Sequence, residues 1–154
     1  MPTAYIGIGS NLGDREENCE RAIKLLEAGK INVIKRSSMI ETEPWGVEDQ
    51  PKFINMAVEI ETDLTPGELL QFLKKIEDEI GRSPAERWRP RIIDLDILLY
   101  NDFILKTQEL EIPHSHIAER EFVLKPLAEI APDKIHPVLK KSIKDLLLQF
   151  PQSS

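Results

Sequence analysis

The chain has 154 residues, 41% of them hydrophobic, and a formal net charge of -7 from 20 Lys and Arg against 27 Asp and Glu. That length and composition suit a single domain, 1–154, large enough to bury a core. The acidic balance excludes nonspecific nucleic-acid binding, no apolar run is long enough to span a bilayer, and one cysteine, Cys19, excludes an internal disulfide or a cysteine metal cluster.

Ala4 to Gly9 reads as a short apolar strand that turns at Ser10-Asn11-Leu12-Gly13. Asp14, with Glu17 three residues on, offers an N-cap to a helix whose stripe is Ala22, Ile23, Leu25 and Leu26 and which Gly29 stops. Cys19 falls inside this helix as a small core or boundary residue rather than a nucleophile. Residues 31–42 are rich in β-branched side chains and predict a strand, with Lys35-Arg36-Ser37-Ser38 leaving its inner face ambiguous. Glu43 to Pro51 is loop, punctuated by two prolines and a glycine.

From Phe53 the alternation returns, with Ile54, Met56, Val58 and Ile60 on one face and Phe53, Asn55, Ala57 and Glu59 on the other. Thr65-Pro66-Gly67-Glu68 is a capping box with proline at the first helical position, ahead of a stripe of Leu69, Leu70, Phe72, Leu73, Ile76 and Ile80 that ends at Gly81. Arg87 to Arg91 is a basic loop, and a strand follows in which Ile93, Leu95, Ile97 and Leu99 face one way and Asp94, Asp96, Leu98 and Tyr100 the other. Ile112 to His116 is a turn, Phe122 to Ile130 a helix or extended connector, and Ser142 to Phe150 a terminal helix. The order is the split βαβ, ferredoxin-like βαββαβ arrangement of the α+β class. It predicts a mainly antiparallel sheet with both helices on one face, the other face free for a site, and a C-terminal helical extension.

The chemistry concentrates in Arg87 to Tyr100. Residues two apart on a strand lie roughly 6.5 to 7 Å apart, so Asp94 and Asp96 can serve a shared site, and such like charges repel unless a cation lies between them. Magnesium fits, because it takes a few carboxylate oxygens together with water and substrate phosphates. Arg87, Arg89 and Arg91 supply planar forks for phosphate oxygens, and Trp88 a flat surface for a ring. The alternative is a solvated strand face beside a surface loop, although aspartate is depleted in strands. Gly7-Ile8-Gly9-Ser10-Asn11-Leu12-Gly13 lacks dinucleotide-binding and Walker spacing and reads as a tight strand-to-helix turn. His114 and His116 have no third ligand nearby. His114 suits a phosphate contact, and His116 the surface or a supporting role. Phe53 and Asn55 share a strand face, as in sites that hold flat heterocycles, and Trp45 is either an anchor or a movable cover.

Gly9-Ser10-Asn11-Leu12-Gly13, Thr42-Glu43-Pro44-Trp45-Gly46, Gln50 to Asn55, Ile76-Glu77, Gly81-Arg82, Glu86 to Leu98, Ile112-Pro113-His114, Arg120 and Phe122-Val123-Leu124 together resemble the 6-hydroxymethyl-7,8-dihydropterin pyrophosphokinases of folate biosynthesis. The resemblance runs nearly the full chain, in order. It implies an ATP-dependent diphosphokinase that transfers a pyrophosphoryl group to the hydroxymethyl oxygen of the reduced pterin and releases AMP. By the same resemblance Asp94 and Asp96 hold two Mg2+ ions, with Asp96 a candidate proton acceptor. Arg82 and Arg91 stabilise phosphate charge, while Glu77, Trp88, Arg91, His114 and Arg120 surround ATP. Thr42, Phe53, Asn55, Asp94 and Phe122 take the pterin, and loops 43–52 and 82–91 move during the reaction.

Three features depart from the family pattern. Ser83-Pro84 follows Arg82, so a second loop arginine is absent and the loop is one residue short, with Arg89 a candidate to compensate. Glu109 stands where an ATP-contacting arginine can occur, and Ser115 where tyrosine can. The N-terminus has no basic segment followed by an apolar run, so a cytoplasmic protein without nucleic-acid, membrane or obligate protein partners is expected. A noncatalytic ligand-binding module and an RNA-binding module share the topology. The second requires exposed strand aromatics and a basic surface that this chain does not offer.

Overall fold

Phase-setting residues at the helix starts do what their chemistry demands. In the computed structural model, which describes residues 1–11, 13–29, 31–42, 52–81 and 93–150, Asp14 accepts a hydrogen bond from the Glu17 amide at 3.1 Å and opens α1 (Arg15–Ala28). The capping box closes in both directions at α2 (Pro66–Gly81): the Glu68 amide donates to Thr65 Oγ1 at 3.2 Å and the Thr65 amide to Glu68 Oε1 at 2.9 Å. Gly29 is demanded by packing as much as by capping, since a Cβ there would lie 2.0 Å from the Phe72 ring of α2.

The main sheet is antiparallel throughout. Its strands run in the order β2 (Asn32–Arg36), β4 (Phe53–Glu61), β1 (Thr3–Ser10), β5 (Asp94–Tyr100), and β3 (Ile40–Thr42) also pairs with β4. This is the ferredoxin-like order, with β5 at an edge. The single strand expected over 31–42 is two strands, because the register shifts between Val33 and Lys35 and the chain leaves the ladder before re-pairing at Ile40. A small second sheet joins β6 (Leu105–Lys106) to β7 (Glu111–Ile112).

The helix-side core is built from Ile6, Ile8, Met56, Val58, Ile60, Leu95 and Ile97 of the sheet against Leu26, Leu69, Leu73 and Ile76 of α1 and α2. Along β5 the expected alternation fails past Ile97. Ile6 pairs with Ile97 but Tyr5 pairs with Leu99, so Leu98 is a bulge residue. Every side chain beyond it therefore changes face: Leu99 joins Leu98 on the far side, while Tyr100 enters the helix-side core and donates its hydroxyl to the Leu64 carbonyl at 2.5 Å.

The far face is not left free over its whole extent, as the sequence reading expected. A second core of Tyr5, Ala57, Leu98 and Leu99 against Ile117, Leu124, Leu127, Ile143 and Leu146 covers part of it with α3 (Glu121–Ile130) and α4 (Ile143–Leu148). Residues 122–130 are thus helix rather than extended connector. What stays open is the part of that face beside Asp94 and Asp96. Among the described residues no helix is long and apolar enough to cross a membrane.

Candidate active site

The open part of the far face is a cavity of about 200 Å³ floored by β1, β4 and β5 and walled by the first two turns of α3. Thr42, Phe53, Asn55, Asp94, Asp96, His114, Arg120 and Phe122 all line it. Phe53, Asn55, Asp94 and Asp96 meet because adjacent antiparallel strands present one face, and Thr42 of β3, His114, and Arg120 and Phe122 at the start of α3 complete the lining. The floor has room because β1 contributes glycine there. In register, Gly9 lies between Asn55 and Asp94, and Gly7 between Ala57 and Asp96.

Gly9 also sets the Asn55 amide. A Cβ at position 9 would stand 2.9 Å from Asn55 Oδ1, closer than a real side chain tolerates. The other end of that amide is fixed by donation from Nδ2 to Thr42 Oγ1 at 2.9 Å. Thr42 and Asn55 thus form one rigid polar edge of the cavity, while Phe53 and Phe122 supply aromatic faces. The Arg120 guanidinium lies 5.8 Å from the Phe122 ring centre, a cation–π distance that holds a permanent positive charge at the cavity wall.

His114 has a defined tautomer. The His116 amide donates to His114 Nδ1 at 3.2 Å, so Nδ1 is unprotonated and the ring's N–H is on Nε2. Burial pushes its pKa below the ordinary histidine value, more than the opposing pull of Asp96 raises it, and His116 and Arg120 also lower it. The ring is therefore a neutral donor. His116 itself faces solvent and pairs with Glu119 at 3.1 Å.

Asp94 and Asp96 share the cavity side of β5, with Asp96 exposed. Among the described residues no group of three or more His, Cys, Asp or Glu side chains is arranged to hold a metal. A pair of hard carboxylates beside an open cavity suits magnesium carried in with phosphate oxygens and water, and does not suit a metal held by protein alone. Glu77 is on α2, outside the cavity lining, and its Oε2 accepts from the Leu95 amide at 2.8 Å. Glu109 and Ser115 are exposed and outside the lining. Arg82, Trp88, Arg89 and Arg91 fall outside the described residues, as do Trp45 and loops 43–51 and 82–92.

Sequence reasoning missed Gly7, Leu98, Val123 and Pro126 as lining residues. A signal for Gly7 existed, since Gly7 and Gly9 are two apart in a strand and so empty one face of it. Asn11, 1% exposed and with neither amide atom hydrogen-bonded among the described residues, was not singled out either.

A family model described as 7,8-dihydro-6-hydroxymethylpterin-pyrophosphokinase matches residues 5–132. The 2-amino-4-hydroxy-6-hydroxymethyldihydropteridine pyrophosphokinase of Bacillus subtilis (strain 168) is 52% identical over 128 residues, covering 82% of this chain and 77% of its own. The Aquifex aeolicus (strain VF5) protein of the same name is 43% identical over 145 residues, 94% and 90% of the two chains. The fold is also that of a Plasmodium falciparum HPPK-DHPS A437G structure, with a TM-score of 0.79 at 19% identity. That match covers 96% of this chain but only 45% of the larger one.

Proposed function

The chain belongs to the 7,8-dihydro-6-hydroxymethylpterin-pyrophosphokinase family, and from that premise we propose how its own residues carry out the transfer of pyrophosphate from ATP to 6-hydroxymethyl-7,8-dihydropterin. One observation carries the assignment of roles: the polar edge, the two aromatic rings, the neutral histidine, the arginine and the carboxylate pair all line one cavity.

The cavity, about 200 Å³, is smaller than the ~300–1,000 Å³ typical of drug-sized ligand sites and suits one bicyclic ring. The pterin lies flat between Phe53 and Phe122, with its amide edge read by Asn55 and Thr42. The Asn55–Thr42 hydrogen bond supports this, because a preset edge rejects rings whose donors and acceptors are reversed. The hydroxymethyl group then points toward β5. His114 donates its Nε2–H, and Arg120 its guanidinium, to phosphate oxygens of ATP.

Asp94 and Asp96 are the residues to hold magnesium, two ions in this proposal, which when bound neutralises phosphate charge. The pterin hydroxyl oxygen attacks the β-phosphorus, the bond from that phosphorus to the α-bridging oxygen breaks, and AMP leaves with the electron pair. Asp96, the exposed member of the pair, takes the hydroxyl proton. Arg82 and Arg91 neutralise charge on the transferring group and Trp88 covers ATP. Most of the acceleration comes from alignment and charge stabilisation, since phosphoryl transfer asks little covalent chemistry of a protein. Residues 1–154 act as one domain, in the cytoplasm.

The test is AMP formation from ATP and magnesium with and without the reduced pterin, in the parent protein and in Asp94→Ala and Asp96→Ala variants. Pterin-dependent AMP release that drops by more than about 100-fold in each variant is expected, the scale of losing a main charge-stabilising group. Full release by both variants would overturn the assignment.

A further inference from the structure

Asp94 and Asp96 flank Leu95 on β5. Their cross-strand neighbours on β1 are Gly9 and Gly7, which have no side chains to pack against them. On the β1 side, then, neither carboxylate is packed by a cross-strand side chain. One pair beyond Asp96 the ladder is interrupted by the Leu98 bulge. Among the described residues β5 has no strand neighbour on its other side. A two-carboxylate ligand set on such a strand needs restraint from the backbone.

We propose that Glu77 is a positioning residue, which fixes the aim of Asp94 and Asp96 by holding the Leu95 amide between them. In register Leu95 lies opposite Ile8, and its N–H points away from β1, across the sheet edge, to Glu77 Oε2 at 2.8 Å. Because successive side chains alternate along a strand, the backbone at Leu95 sets the direction of both flanking carboxylates. Leu95 is itself anchored in the helix-side core, 4% exposed. Glu77 stands on a rigid base, since Leu73, Ile76 and Ile80 of α2 are buried. Its carboxylate thus joins a helix to the edge of the strand that carries the ligands. A third acid this close would repel the pair if it shared their face. Serving the strand from its edge, through the Leu95 amide, avoids that.

This inference rests on the assignment of Asp94 and Asp96 as metal ligands, and it distinguishes a strand anchor from an acid that touches ATP. Glutamine keeps a carbonyl oxygen able to accept from Leu95 but loses the charge, whereas alanine loses both. Two readouts are needed. One is the exchange rate of the Leu95 amide hydrogen by NMR. The other is binding of Mn2+ with a non-hydrolysable ATP analogue, followed by electron paramagnetic resonance. Glu77→Ala is expected to speed Leu95 exchange and weaken Mn2+ binding about tenfold, the scale seen when a group behind a metal ligand is removed. Glu77→Gln is expected to keep the parent behaviour in both.

If Glu77→Gln protects Leu95 yet loses Mn2+ binding as alanine does, the charge acts on the ligand directly and the proposal is wrong. Unchanged Leu95 exchange in Glu77→Ala overturns it as well, and the glutamine comparison decides the matter if the alanine variant does not fold. The proposed reaction fails separately, by absent pterin-dependent AMP release in the parent protein with Leu95 exchange still answering to Glu77.

Discussion

A single hydrogen bond between Asn55 Nδ2 and Thr42 Oγ1 decides what the cavity can read, and a missing side chain decides that the bond can form. The Asn55 amide occupies the space that a Cβ on residue 9 would enter at 2.9 Å. Gly9→Ala should therefore displace the amide while leaving the phosphate-side residues alone. The expected outcome is a rise of about fivefold in KM for the pterin, equivalent to one ordinary hydrogen bond of about 1 kcal/mol, with KM for ATP unchanged. Steady-state kinetics with each substrate varied in turn checks it; equal changes in both KM values would mean that the floor strand had moved as a whole. In the sequence the aspartate pair and the Phe53–Asn55 pair were legible because a period of two assigns faces directly. The glycine spacing was readable too, but not the effect of Gly9 on the Asn55 amide, because that contact is made across two strands. Nor was the hydrogen bond from Leu95 to Glu77, which spans 18 residues and joins a backbone atom to a helix.

At the scale of elements, the caps were the most readable features, since they are local chemistry between residues three apart. Thr65 and Glu68 satisfy each other's amides as the capping box requires. Thr65→Ala removes the acceptor for the Glu68 amide and should cost about 1 kcal/mol, with Thr65→Ser near neutral. Denaturant unfolding would show this as a lower midpoint at unchanged slope. Because Thr65 caps the start of α2, about three turns before Glu77, and does not line the cavity, kcat for the alanine variant should stay at the parent value. The strand irregularities were unreadable by the same logic. Ile34 and Leu98 are each one extra residue in a ladder, and only the partner strand reveals them. The bulge at Leu98 reverses the faces of Leu99 and Tyr100, which periodicity alone assigns the other way round.

For the whole molecule, the C-terminal extension is part of the site, since Phe122, Val123 and Pro126 of α3 form one wall of the cavity. That wall is held down by α4 through the second core, and the chain between α3 and α4 is organised around His136. His136 is 6% exposed, its Nδ1 accepts from the Val138 and Leu139 amides at 3.2 and 3.1 Å, and its backbone bonds to Lys141 and Lys140. Both amides need an unprotonated Nδ1, and burial pushes the ring's pKa below the ordinary 6.5. In the unfolded chain the ring takes up its proton near 6.5, while the folded chain resists protonation to lower pH. The stabilisation is therefore complete above about pH 6.5 and is lost as pH falls through the lowered folded-state value. His114, lowered by its own burial, acts with the same sign. Asparagine at position 136 offers an oxygen to the same two amides and does not titrate. His136→Asn should thus keep the fold at pH 7.5 yet show a shallower fall of Tm between pH 7 and 5 than the parent, the remainder belonging to His114. A slope identical to the parent would mean that the 136–139 turn does not feel the proton, and that acid acts on the α3 wall by another route.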